Sequence, residues 1–360
     1  MSGIKRFIKY LAALALYYSG LLNLYDFIRR RFDRRPDFVI LMYHRVLEDV
    51  PYDKIYTQPG MSVTETTFDR QMAWLKKKFK VLPLEQILPA NENGGRSEND
   101  SVAITFDDGW RDNYTRALPI LKKHSIPATV FLTADYVGTS RPFWFLMVKW
   151  LILDGNISAE DLATIIIETD DRSKSATDAV RFLRNIRTTS KAAADRIIEI
   201  LKTLEIESLE AVVQAMLDRS SLSLDRWERD KPMLSWSEAE RMSEENIEIG
   251  SHGCSHRILT LLSEAETSKE LLNSKTLIEN KLGKAVRGFS YPNGDYSEEI
   301  EQDVRKAGYT YAVATSGKNL PGHRVDRFAL KRVAIHEGIS TGPSGRFSRA
   351  MFAWHIIRHI

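Results

Sequence analysis

Val102-Ala103-Ile104-Thr105-Phe106-Asp107-Asp108-Gly109 runs an apolar stretch straight into two adjacent carboxylates and a glycine. An apolar run of this length, bounded by turn residues, reads as a fully buried strand, so both carboxylates stand at a strand's end. The same pattern recurs elsewhere in the chain. Phe38-Val39-Ile40-Leu41-Met42-Tyr43 reads as a buried strand ending at His44, and Ala128-Thr129-Val130-Phe131-Leu132 as another. Ile247-Glu248-Ile249 leads into Ser251-His252-Gly253-Cys254-Ser255-His256. Helical spacing (Phe68, Met72, Leu75, Phe79) and a helix around Tyr114–His124 fall between the strands, and a short helix follows Val81-Leu82-Pro83-Leu84. Strand and helix in alternation predict a parallel α/β sheet or barrel. In such folds the carboxyl ends of the strands form the functional face.

The alternation breaks between Arg141 and Pro232, where the pattern is helical and no glycine occurs between Gly155 and Gly250. This predicts a helical insertion at about 141–232, over or beside the active face. Its aromatic start, Phe143-Trp144-Phe145, reads as core packing ahead of a substrate groove. The residues 91–100 read as a polar loop. At 360 residues and a net charge of +3 the chain has room for one large domain and no basic excess that would mark a nucleic-acid partner. The single cysteine, Cys254, excludes an internal disulfide. It stands between two histidines, where filling space under the loop is a better reading than metal binding.

Both termini are apolar and basic. Residues 1–36 carry an apolar run interrupted by Lys9, Asn23 and Asp26 and flanked by Lys5, Arg6 and Arg29, Arg30, Arg31, Arg34, Arg35. The uninterrupted stretch Tyr10–Leu22 is 13 residues, short of the roughly 20 needed to span a bilayer. The segment suits a helix in the membrane interface. Packing on the protein's own surface is the alternative, and a cleaved signal peptide is disfavoured by the missing small-x-small site. The expectation is association with the inner (cytoplasmic) membrane, with neither side favoured because arginine flanks both ends. Residues 346–360 form a second basic amphipathic helix, suited to membrane contact or to closing the barrel.

One carboxylate and two imidazoles four residues apart make a three-ligand site for a divalent metal with open positions. The neighbouring carboxylate is then placed to act as base toward water held there. A third segment, Arg287-Gly288-Phe289-Ser290-Tyr291-Pro292-Asn293-Gly294-Asp295-Tyr296, is a strand running into a turn whose Asn293 N–H is able to stabilise an oxyanion.

These blocks, in this order, resemble the polysaccharide deacetylases of the NodB-homology type, carbohydrate esterase family 4. Leu41-Met42-Tyr43-His44-Arg45-Val46 is similar to the membrane-associated or exported poly-N-acetylglucosamine deacetylase branch. The resemblance covers roughly residues 38–140 and 232–340, within a catalytic domain placed at 37–345. It implies a distorted (β/α)7 barrel with the helical insertion, Asp107 as general base, and Asp108, His252 and His256 as ligands of a divalent metal, most often Zn2+. The implied reaction is hydrolysis of N-acetyl groups on an N-acetylated polysaccharide or oligosaccharide, of exopolysaccharide type. Asn293 would hold the oxyanion and a histidine would protonate the leaving amine. His336, after the late strand Leu330–Ile335, is the first candidate acid and His44 the rival; His323 reads as an exposed loop residue. His44, Tyr291 and Pro292 are the candidate substrate contacts. Much of the family carries Arg at the place of Ser290, and Arg287 is either its substitute or a surface charge. A deacylase or deformylase of a lipid-linked sugar, and a catalytically silent glycan binder, are the alternatives.

Overall fold

The structure, a computed structural model, describes residues 3–32, 38–49, 56–58, 60–92, 100–155, 157–169, 173–186, 190–315 and 326–359. His323, Arg34, Arg35 and most of the polar loop at 91–100 lie outside them. The chain divides into two compact units, the larger comprising residues 1–50, 60–139 and 233–360 and the smaller residues 51–59 and 140–232.

Among the described residues there are ten strands: β1 (Phe38–Tyr43), β2 (Arg45–Leu47), β3 (Ser62–Thr64), β4 (Lys80–Val81), β5 (Ser101–Phe106), β6 (Ala128–Leu132), β7 (Ile247–Ser251), β8 (Gly288–Ser290), β9 (Tyr311–Val313) and β10 (Arg332–Ala334). Seven follow one another, all parallel, in the order β10-β1-β5-β6-β7-β8-β9. A parallel bridge between Val313 and Leu330 draws the two edges together, so the sheet is a nearly closed, distorted (β/α)7 barrel, as expected. The short β4 pairs with the start of β5, and β2 and β3 form a separate ladder.

The period of two along each strand sorts side chains into two cores. Val39, Leu41 and Tyr43 of β1, Val102, Ile104 and Phe106 of β5, and Val130 and Leu132 of β6 face the surrounding helices. Phe38, Ile40, Ala103, Phe131, Tyr311 and Val313 fill the barrel's interior, together with Leu84, Ile87 and Leu88 of a helix that stops its base. Burial on both faces explains why these strands read as unbroken apolar runs.

The larger unit carries α1 (Gly3–Tyr18), α2 (Leu21–Phe32), α3 (Glu65–Lys78), α4 (Leu84–Glu92) and α5 (Leu118–His124) ahead of the smaller unit's helices. The smaller unit, as the helical pattern anticipated, holds α6 (Trp144–Leu153), α7 (Ala159–Thr169), α8 (Lys174–Leu183), α9 (Lys191–Leu201), α10 (Ile206–Arg219) and α11 (Asp225–Asp230). Within it Phe143 and Phe145 are buried and stacked 5.2 Å apart. The buried Lys149 ammonium is held by Asp195 at 2.6 Å and the Thr57 carbonyl at 3.0 Å.

The larger unit resumes with α12 (Trp236–Glu244), α13 (Glu264–Leu282), α14 (Glu298–Lys306), α15 (Glu337–Ser340) and α16 (Arg349–Ile357). Of the two readings left open for the C-terminal helix, the structure favours packing on the protein itself: Met351, Phe352, Ile356 and Ile357 are buried, and α16 joins the layer of helices around the barrel. The N-terminal segment is two helices bent by 72°, and no single described helix is long and apolar enough to cross a membrane.

Candidate active site

Asp107 and Asp108 follow β5 directly and are both buried. The same alternation that turns Ala103 and Thr105 into the barrel aims Asp107 there. Asp108 adopts φ 78° and Gly109 φ 80°, a left-handed pair of residues that swings the second carboxylate back over the strand end. A Cβ on Gly109 would meet Leu132 at 3.0 Å, so side chains are excluded there twice over. His252 is buried just past β7, its N–H on the Leu132 carbonyl at 2.8 Å, and His256 sits four residues on with φ 64°.

Three potential ligand atoms converge. Asp108 Oδ1 lies 3.5 Å from His252 Nε2 and 3.3 Å from His256 Nε2, and the three ligand atoms fall within 4.8 Å of one another. The groups around them leave those atoms turned inward. His252 Nδ1 faces the Ser290 carbonyl at 2.7 Å, which only an N–H can satisfy, so the lone pair is on Nε2. Trp110 Nε1 donates to Asp108 Oδ2 at 2.7 Å, while the buried Oδ1 receives no hydrogen bond. Lone pairs gathered this way repel unless a cation or a shared proton sits among them. The donor set, one carboxylate and two imidazoles, suits a divalent cation of the zinc type. Burial pushes the Asp108 carboxyl up, but the two imidazoles outweigh it and hold the group well below the usual range. Burial lowers His252, and Asp107 and Asp108 more than reverse that.

Asp107 takes no part in this cluster of ligand atoms. Its two oxygens accept a bidentate pair from Arg332, Nη1 at 2.7 Å and Nη2 at 2.6 Å. Arg332 lies fully buried in the barrel interior on β10. It also donates to Ala314 O at 2.9 Å, Thr105 Oγ1 at 3.2 Å and Ser290 Oγ at 3.0 Å. Burial alone would raise Asp107; Arg332 and then His252 bring it below the ordinary value. Sequence reading missed this residue. Arg287 instead pairs with Glu85 at the surface and is a surface charge. The guanidinium that the resemblance led one to expect at the place of Ser290 arrives instead from β10 and touches Ser290's hydroxyl. The signal was there: Val333 and Ile335 form the apolar outer face, which leaves Arg332 with Leu330 on the inner one.

Glu270 of α13 was also missed. Its carboxylate accepts from the Cys254 N–H at 2.7 Å, the Ser255 N–H at 3.1 Å and the Ser255 hydroxyl at 2.5 Å. It thereby fixes the loop between the two histidines. Cys254 is buried with Sγ 3.7 Å from the Glu270 carbonyl, outside the ligand group, and burial pushes its thiol up to about 12.

Three expected site residues stand elsewhere. His336 caps α15, accepting from the Gly338 N–H at 3.2 Å. Burial lowers its pKa, followed by Arg6 and Lys9. His44 is the histidine beside the cluster: burial lowers it, and Asp108, Asp107, Arg332 and His252 all act on it. Asn113 Nδ2 holds its carbonyl at 2.8 Å. Tyr291 is buried, stacked on Tyr296 at 5.0 Å and donating its hydroxyl to the Phe328 carbonyl at 2.8 Å, so it is committed to the core and not to substrate. Pro292 is likewise buried, 3.9 Å from where a Cβ on Gly253 would stand. It supports the histidine loop from beneath. Asn293, at φ 59° in the next turn, has no hydrogen-bond partner for its N–H among the described residues.

The sequence profile of the polysaccharide deacetylase family matches residues 94–162 and 186–312. This chain belongs to the polysaccharide deacetylase family. Among curated relatives, the Bacillus subtilis (strain 168) protein YxkH, which carries the same family's name, is 23% identical over 87% of this chain and 76% of its own. The poly-beta-1,6-N-acetyl-D-glucosamine N-deacetylase of Staphylococcus epidermidis is 35% identical over 109 residues, 28% of this chain and 37% of the relative. That shared stretch is well under half of the relative's length. Among solved structures, IcaB from Ammonifex degensii aligns with a TM-score of 0.51 at 16% identity, covering 89% of this chain and 98% of that one. That likeness supports the deacetylase barrel fold.

Proposed function

We propose that this polysaccharide deacetylase is a divalent-metal-dependent hydrolase that removes N-acetyl groups from a glycan of N-acetylated hexosamines. The observation that carries the reading is the unpartnered, buried Asp108 Oδ1 facing two imidazole nitrogens, beside a second carboxylate clamped by Arg332. A cation held by Asp108, His252 and His256 would supply Lewis acidity toward the acetyl carbonyl and toward water. Asp107, kept ionised and aimed by Arg332, accepts the proton of the attacking water. The Asn293 N–H is free to donate to the carbonyl oxygen as it takes up charge. The C–N bond breaks, acetate leaves, and the proton that Asp107 took from water passes by way of His44, the imidazole beside the carboxylates, to the amine. The partial match to a poly-N-acetylglucosamine deacetylase supports a β-linked N-acetylglucosamine polymer as substrate.

The test is metal content of the purified full chain together with acetate release from short N-acetylglucosamine oligomers, beside Asp107→Asn. The expected result is a bound divalent metal and acetate release that Asp107→Asn abolishes while retaining metal. A chain that takes up no metal under any loading condition, or that turns over equally well as Asp107→Asn, refutes the proposal.

A further inference from the structure

The α1–α2 pair has two apolar faces, and the fold uses only one. Inward, Ala13 packs on Ala350 and Met351 of α16, with Tyr10, Tyr17 and Trp354 around them. Leu22 joins the main core. Tyr10 lies so close to Gly342 that a Cβ there would meet its ring at 2.8 Å. Polar contacts fasten both ends: Arg6 donates to Thr341 Oγ1 at 3.0 Å, and Arg29 pairs with Asp100 at 2.5 Å and Asp26 at 3.0 Å. Outward, Ile4, Phe7, Ile8 and Leu11 recur at helical spacing on α1, as do Leu24 and Ile28 on α2. Of the fourteen large hydrophobic side chains exposed among the described residues, ten lie on this pair, each between 45% and 76% exposed. Scattered exposed apolar residues are ordinary, but a contiguous stripe marks an interaction surface.

We propose that this pair is an interfacial anchor, its outer face sunk into the headgroup region of an anionic lipid bilayer without crossing it and its inner face fixed to the barrel. Charge selects this occupant. From Gly3 to Phe32 the sequence has six basic side chains, Lys5, Arg6, Lys9 and Arg29 to Arg31, against one acidic residue, Asp26, and Asp26 is already paired. A second copy of this face would bring like charges together, whereas anionic headgroups complement them. Crossing the bilayer would pull α1 away from α16 and straighten the 72° bend at Ser19-Gly20. The placement has a consequence for the reaction. Arg6 is tied to Thr341, just after α15, and Arg29 to Asp100, just before β5, so the pair is fastened to the outside of the barrel at two separate places. The barrel is thereby held at the membrane surface, where a glycan extruded or tethered there would meet it.

The proposal goes beyond the deacetylase reading and fails independently of it. The full chain is added to vesicles of phosphatidylcholine with or without phosphatidylglycerol, and binding is read by co-sedimentation. Wild-type chain is expected to bind, more tightly with phosphatidylglycerol. Phe7→Glu/Leu11→Glu/Leu24→Glu/Ile28→Glu is expected to lose at least about 10-fold in partitioning with its circular dichroism unchanged, while Leu272→Glu, an exposed leucine elsewhere, binds as wild type. A fluorophore on Phe27→Cys is expected to be quenched by lipids labelled near the headgroup more than by lipids labelled at the chain ends. No vesicle binding, equal binding by the fourfold variant, quenching from the bilayer centre, or a dimer that the fourfold variant abolishes would each overturn the proposal.

Discussion

Replacing Arg332 tests how the site's base is held. Arg332 and Asp107 are both buried, and the guanidinium meets both carboxylate oxygens at 2.7 and 2.6 Å. In Arg332→Met the carboxylate stays in the barrel interior without its counter-charge. Breaking a buried pair from one side costs about 3–5 kcal/mol, a large part of the roughly 5–15 kcal/mol by which domains are stable. The loss also changes protonation. Burial raises Asp107 and Arg332 is the first group opposing it, so without Arg332 the carboxyl pKa moves up. A base works only when deprotonated, so the acidic limb of the kcat/KM profile shifts to higher pH, and turnover at neutral pH falls by about 10²–10⁴-fold as the positioned base is lost. Arg332→Lys retains the charge but not the two-pronged contact, and falls between the two. Asp107→Asn/Arg332→Met removes both charges, so it is expected to be more stable than the sum of the single losses predicts and to be inactive. Because Ser290 Oγ is 3.0 Å from the guanidinium, Ser290→Arg is expected to recover part of the activity lost by Arg332→Ser. The assays are thermal unfolding and acetate release across pH. Unchanged stability in Arg332→Met, or an acidic limb that stays put, refutes the argument.

His44→Gln is expected to reduce turnover by about 10²-fold or more while sparing metal content, because the imidazole lies beside the carboxylates; His336→Gln, at the α15 cap, is expected to leave kcat within about threefold and to cost at most about 2 kcal/mol in stability. Parallel kinetics and melting curves for the two variants decide between them. His355 is buried under α1, where burial, then Arg358, His359 and Lys9, lower its pKa from 6.5 to about 3. The unfolded chain therefore binds the extra proton first, and stability is full above the unfolded value of 6.5 and falls below it, by about 1.4 kcal/mol for each pH unit. His355→Leu is expected to flatten that acid dependence, as read from the difference in melting temperature between wild type and variant across pH.

Much of the fold was legible because its strands are buried on both faces. An apolar run such as Val102–Phe106 can be read without knowing what lies on either side. The ligand group was legible for a related reason: Asp107-Asp108 and His252/His256 follow such runs immediately, and the strand end fixes where they stand. Tyr291 and His336 misled because the sequence places a residue along the chain without saying which way the chain then turns. After β8 the chain folds Tyr291 onto Tyr296 and Phe328, and after β10 a new helix begins with His336 as its cap.

Arg332 shows where reading along the chain runs out. A charged residue next to Lys331 in a short strand looks solvent-facing, since a buried arginine is unfavourable unless something meets its charge. What meets it is Asp107, 225 residues away, and only closure of the barrel by β10 against β1 brings the two together. The same limit governs the N-terminal helices. Their composition already suited either a membrane interface or the protein's own surface, as if one excluded the other. On a helix the alternatives occupy different faces: Ala13 and Tyr17 are spent on α16, while Phe7 and Leu11 remain outside. Removing residues 1–35 would therefore do more than release an anchor. It would uncover Ala350, Met351 and Trp354 and delete Leu22 from the core, so the truncated chain should lose stability whether or not lipid is present. That makes surface substitutions, and not truncation, the fair test of what the outer face binds.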